Sequence, residues 1–405
     1  MPRSSTPRRA QSLRTQVLIV GAGLVGGIFA HRLQRAGIDI TVIDAAPHKQ
    51  DVRTTAINAG GRAILAKAEL WDALADHVAP IVRIDIQDDR DPFILTFGKQ
   101  DGGETFGGTF GYVVDNGTLV KATRQPLGAR LRTGVRLTGL RPAAGAMTAS
   151  LSDGTTVTAD LVVGADGVRS AVREMAEIRT WSWPYPGQAL VANLTTRSDP
   201  AGVALERFTP TGPFALLPAP RRKRRYGLAL IWTMPTNKAQ ALTEPGRLTA
   251  ALADPIPNSA MADLKVLGAI ARYDLFAQLS RRLTASRVAL IGDAAHRIHP
   301  IAGQGFNVGL RDAQVLAQLL IERHQLGLDL GGGLQTYARK RWPDILSMTA
   351  FTDGMNRLFG NRLPLVTRTR RAGLRVVANS SALRRFFVTA ARRSEDQDDS
   401  SCFSE

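Results

Sequence analysis

The sequence predicts an α/β protein in which a Rossmann-like dinucleotide-binding domain is interleaved with a β-rich domain and followed by a helical C-terminal region. Three observations carry this. A strand, a glycine-rich turn, a helix and a second strand follow one another over residues 16–44. Two further apolar strands, Val157–Val163 and Val288–Ile291, each run into a loop bearing glycine and aspartate. Between about 180 and 280, prolines and aromatics such as Trp181, Trp183, Tyr185, Phe208, Phe214 and Trp232 give a strand-like texture.

In chain order, Gln16–Val20 is the first strand, Gly21–Gly27 the turn, Leu24–Arg35 the helix, and Gly37 the cap before the strand Ile38–Ile43. Leu65, Leu70, Trp71 and Leu74 share one side of a helix expected over Ala63–Val78. Antiparallel strands are expected over Ile81–Phe110 and a helix over Asn116–Leu131. A further helix runs from Gly305 to Glu322, and the chain is helical from Leu334 to the acidic tail Glu395–Asp399. The expected organisation is a basic arm (1–14), a discontinuous dinucleotide-binding domain (15–78, 105–178 and 285–335), a β-rich domain (79–104 and 179–284), a helical region (336–393) and an acidic tail (394–405).

Composition narrows the function classes. The 405 residues are 44% hydrophobic and 21% charged, which suits a folded chain and excludes global disorder. Cys402 is the single cysteine, so an internal disulfide, a cysteine-based zinc site and dithiol redox chemistry are all excluded. The longest apolar run, Val17–Ala30, has 14 residues, short of the ~20 that span a bilayer. Arg3, Arg8, Arg9 and Arg14 lead directly into strand and turn, so the N-terminus reads as a basic arm and not a signal peptide. A cytoplasmic location is expected. The formal charge is +17, with 52 basic residues against 35 acidic. Such an excess favours anionic partners. Nucleic acid is not expected, because no nucleic-acid-binding module accompanies the charge.

Gly21-Ala-Gly-Leu-Val-Gly26 has a specific physical reading. Gly21 permits the tight turn, Gly23 lets the backbone approach a pyrophosphate, and Gly26 permits close contact between helix and strand. The helix then offers free amides and the positive end of its dipole. Asp44, at the tip of the second strand, suits the ribose hydroxyls of adenosine. These residues alone leave FAD and NAD both open.

Two distant motifs make the choice. Leu161-Val-Val-Gly-Ala-Asp-Gly-Val-Arg-Ser170 and the stretch Arg287–Asp312, with its His299-Pro-Ile-Ala-Gly-Gln-Gly-Phe-Asn307 core, resemble the aromatic-ring flavin monooxygenases typified by para-hydroxybenzoate hydroxylase. Within that group they are similar to the ubiquinone-biosynthesis hydroxylases, as are Gly111–Asn116, Glu206–Pro218 and Leu358–Asn361. The resemblance extends from about residue 16 to 390. It implies that the first domain binds FAD, with NADPH or NADH as co-substrate. It also implies that O₂ adds at the flavin C4a as a hydroperoxide, which hydroxylates an electron-rich ring. The substrate so implied is a polyprenylated phenol or related ubiquinone precursor. A soluble hydroxybenzoate, held by an arginine clamp, and a non-hydroxylating flavin-bearing accessory protein are the alternatives.

The same resemblance implies site residues. Gly292 and Asp293 would meet the ribityl chain, and Pro300, Gly303, Gln304, Gly305, Phe306 and Asn307 would border the isoalloxazine. Asp166, with Arg169 beside it, would serve flavin and pyridine nucleotide, and Arg53 would lie near the flavin and the substrate opening. Where relatives carry a basic residue this chain has Gly117, and Lys121 is the candidate substitute. His296 and His299 lack further ligands at suitable spacing, so no metal is expected. No side chain is singled out as acid–base catalyst: Tyr226, Tyr273, His299 and Arg53 are equal candidates. Glu206 and Arg207 read either as residues over the site or as a solvent-facing ion pair.

The charge is patchy. Arg221–Arg225 is a cationic run at an expected hairpin turn. From Arg362 to Arg393 there are nine arginines and no acid, interleaved with apolar residues. Two readings stand: a basic amphipathic surface that meets an anionic membrane on the cytoplasmic side, as a lipidic substrate and a ubiquinone-biosynthesis complex would suit, or helices packed on the domain with solvated arginines.

Overall fold

The computed structural model describes residues 12–46, 51, 53–88, 91–98, 101, 108–256, 263–361 and 363–392. Most of the basic arm and all of the acidic tail lie outside the described residues. No helix among the described residues is long and apolar enough to cross a membrane.

One eight-stranded sheet has the order Thr284–Ala285, Val288–Leu290, Thr156–Gly164, Ser12–Val20, Ile40–Asp44, Leu131–Thr133. Leu137–Ala143 and Ala146–Leu151 extend it beside Thr156–Gly164. Ser12–Val20 runs parallel to both neighbours, and Val17, Leu18, Ile19, Leu161, Val162 and Val163 are fully buried. Strands covered on both faces read as continuous apolar runs, which is why this part of the sequence was unambiguous. The helices Leu24–Arg35 and Gln304–Gln325 pack on it and on each other.

A second eight-stranded sheet has the order His296–Arg297, Lys265–Ser280, Thr180–Thr196, Arg225–Met234, Gly212–Arg222, Val203–Thr209, Arg83–Asp88, Ile94–Phe97. Thr54–Asn58, Gly111–Asp115 and Val78–Ile81 form a small third sheet. The cationic run sits at the expected hairpin. Lys223 adopts a positive φ of 56° between Gly212–Arg222 and Arg225–Met234.

Two expected helices differ in the structure. The helix expected over Ala63–Val78 starts at Ala59, because the Asn58 side chain accepts the Gly61 N–H at 2.8 Å. It ends at Lys67, with Glu69 left-handed at φ 54°. Asp72–Ala75 is a separate short helix, and Val78 already belongs to a strand. The helix expected over Asn116–Leu131 stops at Arg124. Pro126 has no N–H to continue it, and the chain tightens into a 3₁₀ segment, Gln125–Arg130, before the strand Leu131–Thr133.

Candidate active site

The glycine motifs converge because parallel strands deliver their C-terminal ends to one edge of the sheet. The Gly21 N–H donates to Ile43 O at 2.8 Å, the Ala165 N–H to Val20 O at 2.8 Å, and the Ile291 N–H to Gly164 O at 3.0 Å. Gly21 has φ 102°, and a Cβ there would collide with the Ala165 carbonyl. A Cβ on Gly26 would fall on the Gly21 carbonyl oxygen and within 2.8 Å of the Ala165 Cβ. Gly23 is different, since a Cβ there would meet nothing within 4 Å. It caps the helix Leu24–Arg35 without a side-chain hydrogen bond, and the first turn holds no acid. The opening amides therefore face open space, as a diphosphate site requires.

Asp44 stands at its strand tip as expected, with its carboxylate already engaged. Oδ2 accepts the Ala22 N–H at 2.8 Å and the Arg124 guanidinium at 2.5 Å, and Oδ1 accepts the Ala46 N–H at 2.8 Å. Arg124 also donates to Ala22 O at 2.7 Å. This arginine, and not Lys121, is the cation at the turn; Lys121 is exposed on the same helix, three residues earlier. Sequence reasoning passed over Arg124 because it lies beyond the expected position by one helical turn.

Asp166 caps the short helix Ala171–Met175. Its Oδ2 accepts the amides of Ala171 and Val172 at 2.7 and 3.2 Å, while Oδ1 is buried without a partner. Arg169 is exposed. Arg173 instead links the second motif to the third, donating to Val168 O at 2.7 Å and Ala294 O at 2.9 Å. Burial lowers its pKa, opposed by the charges of Asp166 and Glu174.

In the third motif Asp293 is exposed, and Gly292 and Gly303 are left-handed, both at φ 60°. Gly303 begins the 22-residue helix Gln304–Gln325, again without a side-chain cap or first-turn acid. The first-turn amides of Gln304, Gly305 and Phe306 thus lie at the positive end of the helix dipole. Phe306 packs against the core around Ile57 and Leu310. The Asn307 side chain is an internal brace. Its Nδ2 donates to Ala56 O at 3.0 Å and its Oδ1 accepts the Asn58 N–H at 3.0 Å.

Behind this loop lies a charge network that the sequence did not reveal. Asp312, fully buried, accepts from His296 Nε2 at 2.5 Å, the Gly292 N–H at 2.9 Å and Arg341 Nε at 2.8 Å. Arg341 also pairs with Asp344, which pairs with Arg311. Burial pulls the Asp312 carboxyl upward, but His296 and Arg341 outweigh it and hold the pKa below its ordinary value. Arg341 carries no motif; only its place 29 residues after Asp312 on the next helix brings them together.

Arg53 makes a two-pronged ion pair with Asp51, Nε–Oδ1 2.8 Å and Nη2–Oδ2 2.6 Å, and lies 5.5 Å from the Tyr273 ring centroid. The hydrogen bond to Asp51 raises its pKa, with smaller contributions from Tyr273 and Asp293. Tyr226 lies under Arg221 at the hairpin, 4.2 Å from its guanidinium.

From the loop at His299–Asn307 a cavity of about 790 Å³ extends across the second sheet to the C-terminal helices. Its walls are mostly apolar: Ile84, Ile86, Leu95 and Phe97, then Ala215, Leu217 and Ile231 from the sheet, with Met348, Phe351, Leu374 and Val377 opposite. Pro300, Gly303 and Gln304 line its inner end. His299 lines it too. Burial lowers its pKa to about 4, its Nδ1 accepts the Ile301 N–H at 3.3 Å, and its ring packs edge-on to Tyr185 at 4.7 Å.

Glu206 and Arg207 are not an ion pair. Strand alternation sends them to opposite faces. Glu206 lines the cavity, and Arg207 donates to Asp254 O at 3.1 Å on the other side of the sheet. Four arginines of the acid-free run have acidic partners. Arg370 is buried and pairs with Asp88 at 2.7 Å; Arg371 reaches Asp88 and Asp91, Arg375 reaches Asp91, and Arg384 pairs with Asp101. The acids come from the segment around Arg83–Asp88 and Ile94–Phe97, nearly 300 residues earlier, so the local sequence could not show them.

The arrangement fits FAD: open helix amides at Gly23, an orphaned buried oxygen on Asp166, an exposed aspartate at 293 and a second uncapped helix facing the inner end of an apolar cavity. Fold and site define a flavin-dependent aromatic-ring monooxygenase. Residues 14–352 match the FAD binding domain family, and the chain belongs to it. It is 37% identical over 388 residues to the ubiquinone hydroxylase UbiL of Rhodospirillum rubrum, covering 93% of this chain and 89% of that protein. It is 30% identical over 387 residues to the 3-demethoxyubiquinol 3-hydroxylase of Escherichia coli, covering 92% and 96%. In fold it is similar to p-nitrophenol 4-monooxygenase PnpA of Pseudomonas putida, with a TM-score of 0.80 over 94% of this chain and 99% of that one at 17% identity.

Proposed function

We propose that this protein hydroxylates the aromatic ring of a polyprenylated phenol or related ubiquinone precursor, with NADPH or NADH and O₂ as co-substrates. The observation that carries the reading is the long apolar cavity opening at the flavin-facing loop. FAD, when bound, supplies the oxygen activation. The protein's residues hold it, orient the ring and keep water out. Gly21 and Gly26 shape the tight turn, Gly23 and the amides after it would receive the diphosphate, and Asp44, with Arg124, would meet the adenosine ribose. Asp166, Gly292 and Asp293 face the middle of the cofactor. Arg53, between Asp51, Tyr273 and Asp293, borders its ring. The amides of Gln304, Gly305 and Phe306 face its pyrimidine edge, where negative charge is stabilised. Lys121 is left a peripheral electrostatic role.

Two features favour a lipidic substrate over a soluble hydroxybenzoate. The cavity is longer than one ring needs, and its arginines, Arg311 and Arg370, are neutralised by Asp344 and Asp88, leaving no clamp for a carboxylate. Anaerobic reduction of the holoenzyme by NADH and by NADPH in the presence of prenylphenols, then admission of oxygen and product mass analysis, is the test. The expected product is the substrate plus one oxygen atom. Hydroxylation of a soluble hydroxybenzoate but of no prenylphenol would overturn the reading.

The same reading puts the protein on the cytoplasmic side of an anionic membrane, in reach of a ubiquinone-biosynthesis complex. Support comes from the exposed Leu363, Leu365 (77% exposed) and Val376, with exposed Arg368 and Arg385 nearby in sequence. Sedimentation with vesicles containing anionic lipid, and not with neutral vesicles, is expected; equal partition to both would refute it.

A further inference from the structure

The cavity contains five ionisable side chains: Glu206, His299, Arg311, Asp344 and Arg370. Four of them are engaged. Arg311 and Asp344 pair with each other, Arg370 pairs with Asp88, and the His299 Nδ1 holds the Ile301 amide. Glu206 alone has no hydrogen-bond or ionic partner among the described residues.

Its surroundings make this costly. Glu206 lies on the strand Val203–Thr209, directly between Ile86 on one neighbouring strand and Ala215 on the other. Ala204 and Phe208 flank it on the same face, and Phe208 stacks on Phe359 of the helix Leu334–Gly360. An ionised carboxylate in such a wall is half-buried among apolar side chains and has no protein donor. Burial accordingly pushes the Glu206 carboxyl up to about 8. A structural carboxylate would gain nothing from this position, and a Leu or Gln there would pack at lower cost. An unpartnered acid with a raised pKa in a ligand cavity is the pattern of a group that acts on the ligand.

We propose that Glu206 is the base that accepts the phenolic proton of the bound aromatic substrate. The inference rests on the reading of the cavity as a phenol site. The phenol O–H bond breaks, its electron pair stays on oxygen as the phenolate, and the proton joins the Glu206 carboxylate to give the neutral acid. The phenolate pushes electron density into the ring, which favours electrophilic hydroxylation ortho to it. Charge moves between two groups in the same apolar enclosure, so no additional ion is buried. A general base works best when its pKa lies near the working pH, and burial brings Glu206 there. The other groups facing the cavity do not offer this: His299 is held near 4, Asp344 is committed to Arg311, and Arg311 and Arg370, already protonated, have no lone pair to accept a proton.

The experiment uses the holoenzyme, Glu206→Gln and Glu206→Asp, with two readouts. The first is the spectrum of a prenylated nitrophenol bound to the resting enzyme, after subtraction of the flavin absorbance. Wild type should bind it as the phenolate below its solution pKa, and Glu206→Gln as the neutral phenol. The second is hydroxylated product per NAD(P)H consumed. It should fall by about a hundredfold or more in Glu206→Gln, with flavin content unchanged, and recover in part in Glu206→Asp. Loss of product with an unchanged probe spectrum would reduce Glu206 to a structural residue and overturn the proposal. A phenolate spectrum in Glu206→Gln, or no probe binding to wild type, would overturn it as well. Wild type that ionises the probe but hydroxylates no prenylphenol would support Glu206 as the base and sink the substrate assignment instead.

Discussion

Gly23→Val should yield a folded protein that has lost its FAD. Gly23 has φ −71° and ψ −165°, a conformation open to any residue, and an added Cβ touches no protein atom within 4 Å. Only a bound group can object to the new side chain. Accommodating it costs about 3 kcal/mol by analogy with overpacked cores, or about a hundredfold in affinity. The apoprotein should unfold at the same denaturant concentration as wild-type apoprotein. The holoprotein should lose the stabilisation that bound ligand confers. Gly26→Val is the contrast. Its side chain would strike the Gly21 carbonyl and Ala165, so the apoprotein itself should be destabilised. Flavin content from the visible absorbance, with denaturant midpoints of the two apoproteins, separates the cases. A Gly23→Val protein with full FAD would refute the diphosphate assignment.

Asp312→Ala should be among the most destabilising single substitutions in the chain. It leaves Arg341, 0% exposed, and His296 facing an uncompensated void. Removing one partner from a buried ion pair costs about 3–5 kcal/mol. The sign of the pH dependence follows from the depressed carboxyl. Unfolded Asp312 titrates near 3.8 and folded Asp312 lower. Its contribution is thus present in full above the unfolded value and lost as the pH falls through the folded one. The stability gap between wild type and Asp312→Ala should be constant from pH 5 to 7 and close below about pH 3.8. A gap that widens in acid would contradict the assignment. Because Asp312 also accepts the Gly292 amide, the variant should hold FAD less tightly as well.

Much of the flavin half was legible in the sequence, for a physical reason. Backbone approach to a cofactor demands glycine at fixed spacing, and a buried parallel strand demands an unbroken apolar run. Val17–Gly26, Val157–Gly167 and Val288–Asp293 meet both demands within short windows. What stayed hidden depends on partners distant in the chain. Arg124 reaches Asp44 across 80 residues, Arg341 reaches Asp312 across 29, and Arg370 reaches Asp88 across 282. Single residues without periodicity carry no sign of such pairs. Glu206 and Arg207 were ambiguous in another way: adjacent opposite charges look like an ion pair until strand pairing fixes which face each one takes.

The cavity has two coding sources. Its inner end, from Ala56 through Asn307, lies within the stretch that defines the family, whereas Thr369, Arg370, Gly373, Leu374, Val377 and Val388 come from helices beyond it. Those helices are fastened to the sheet by arginine–aspartate pairs and by apolar contact of Leu374, Val377 and Val388 with Leu95 and Phe97. Substitutions in the far wall would thus alter what the cavity admits while leaving the loop at His299–Asn307 in place.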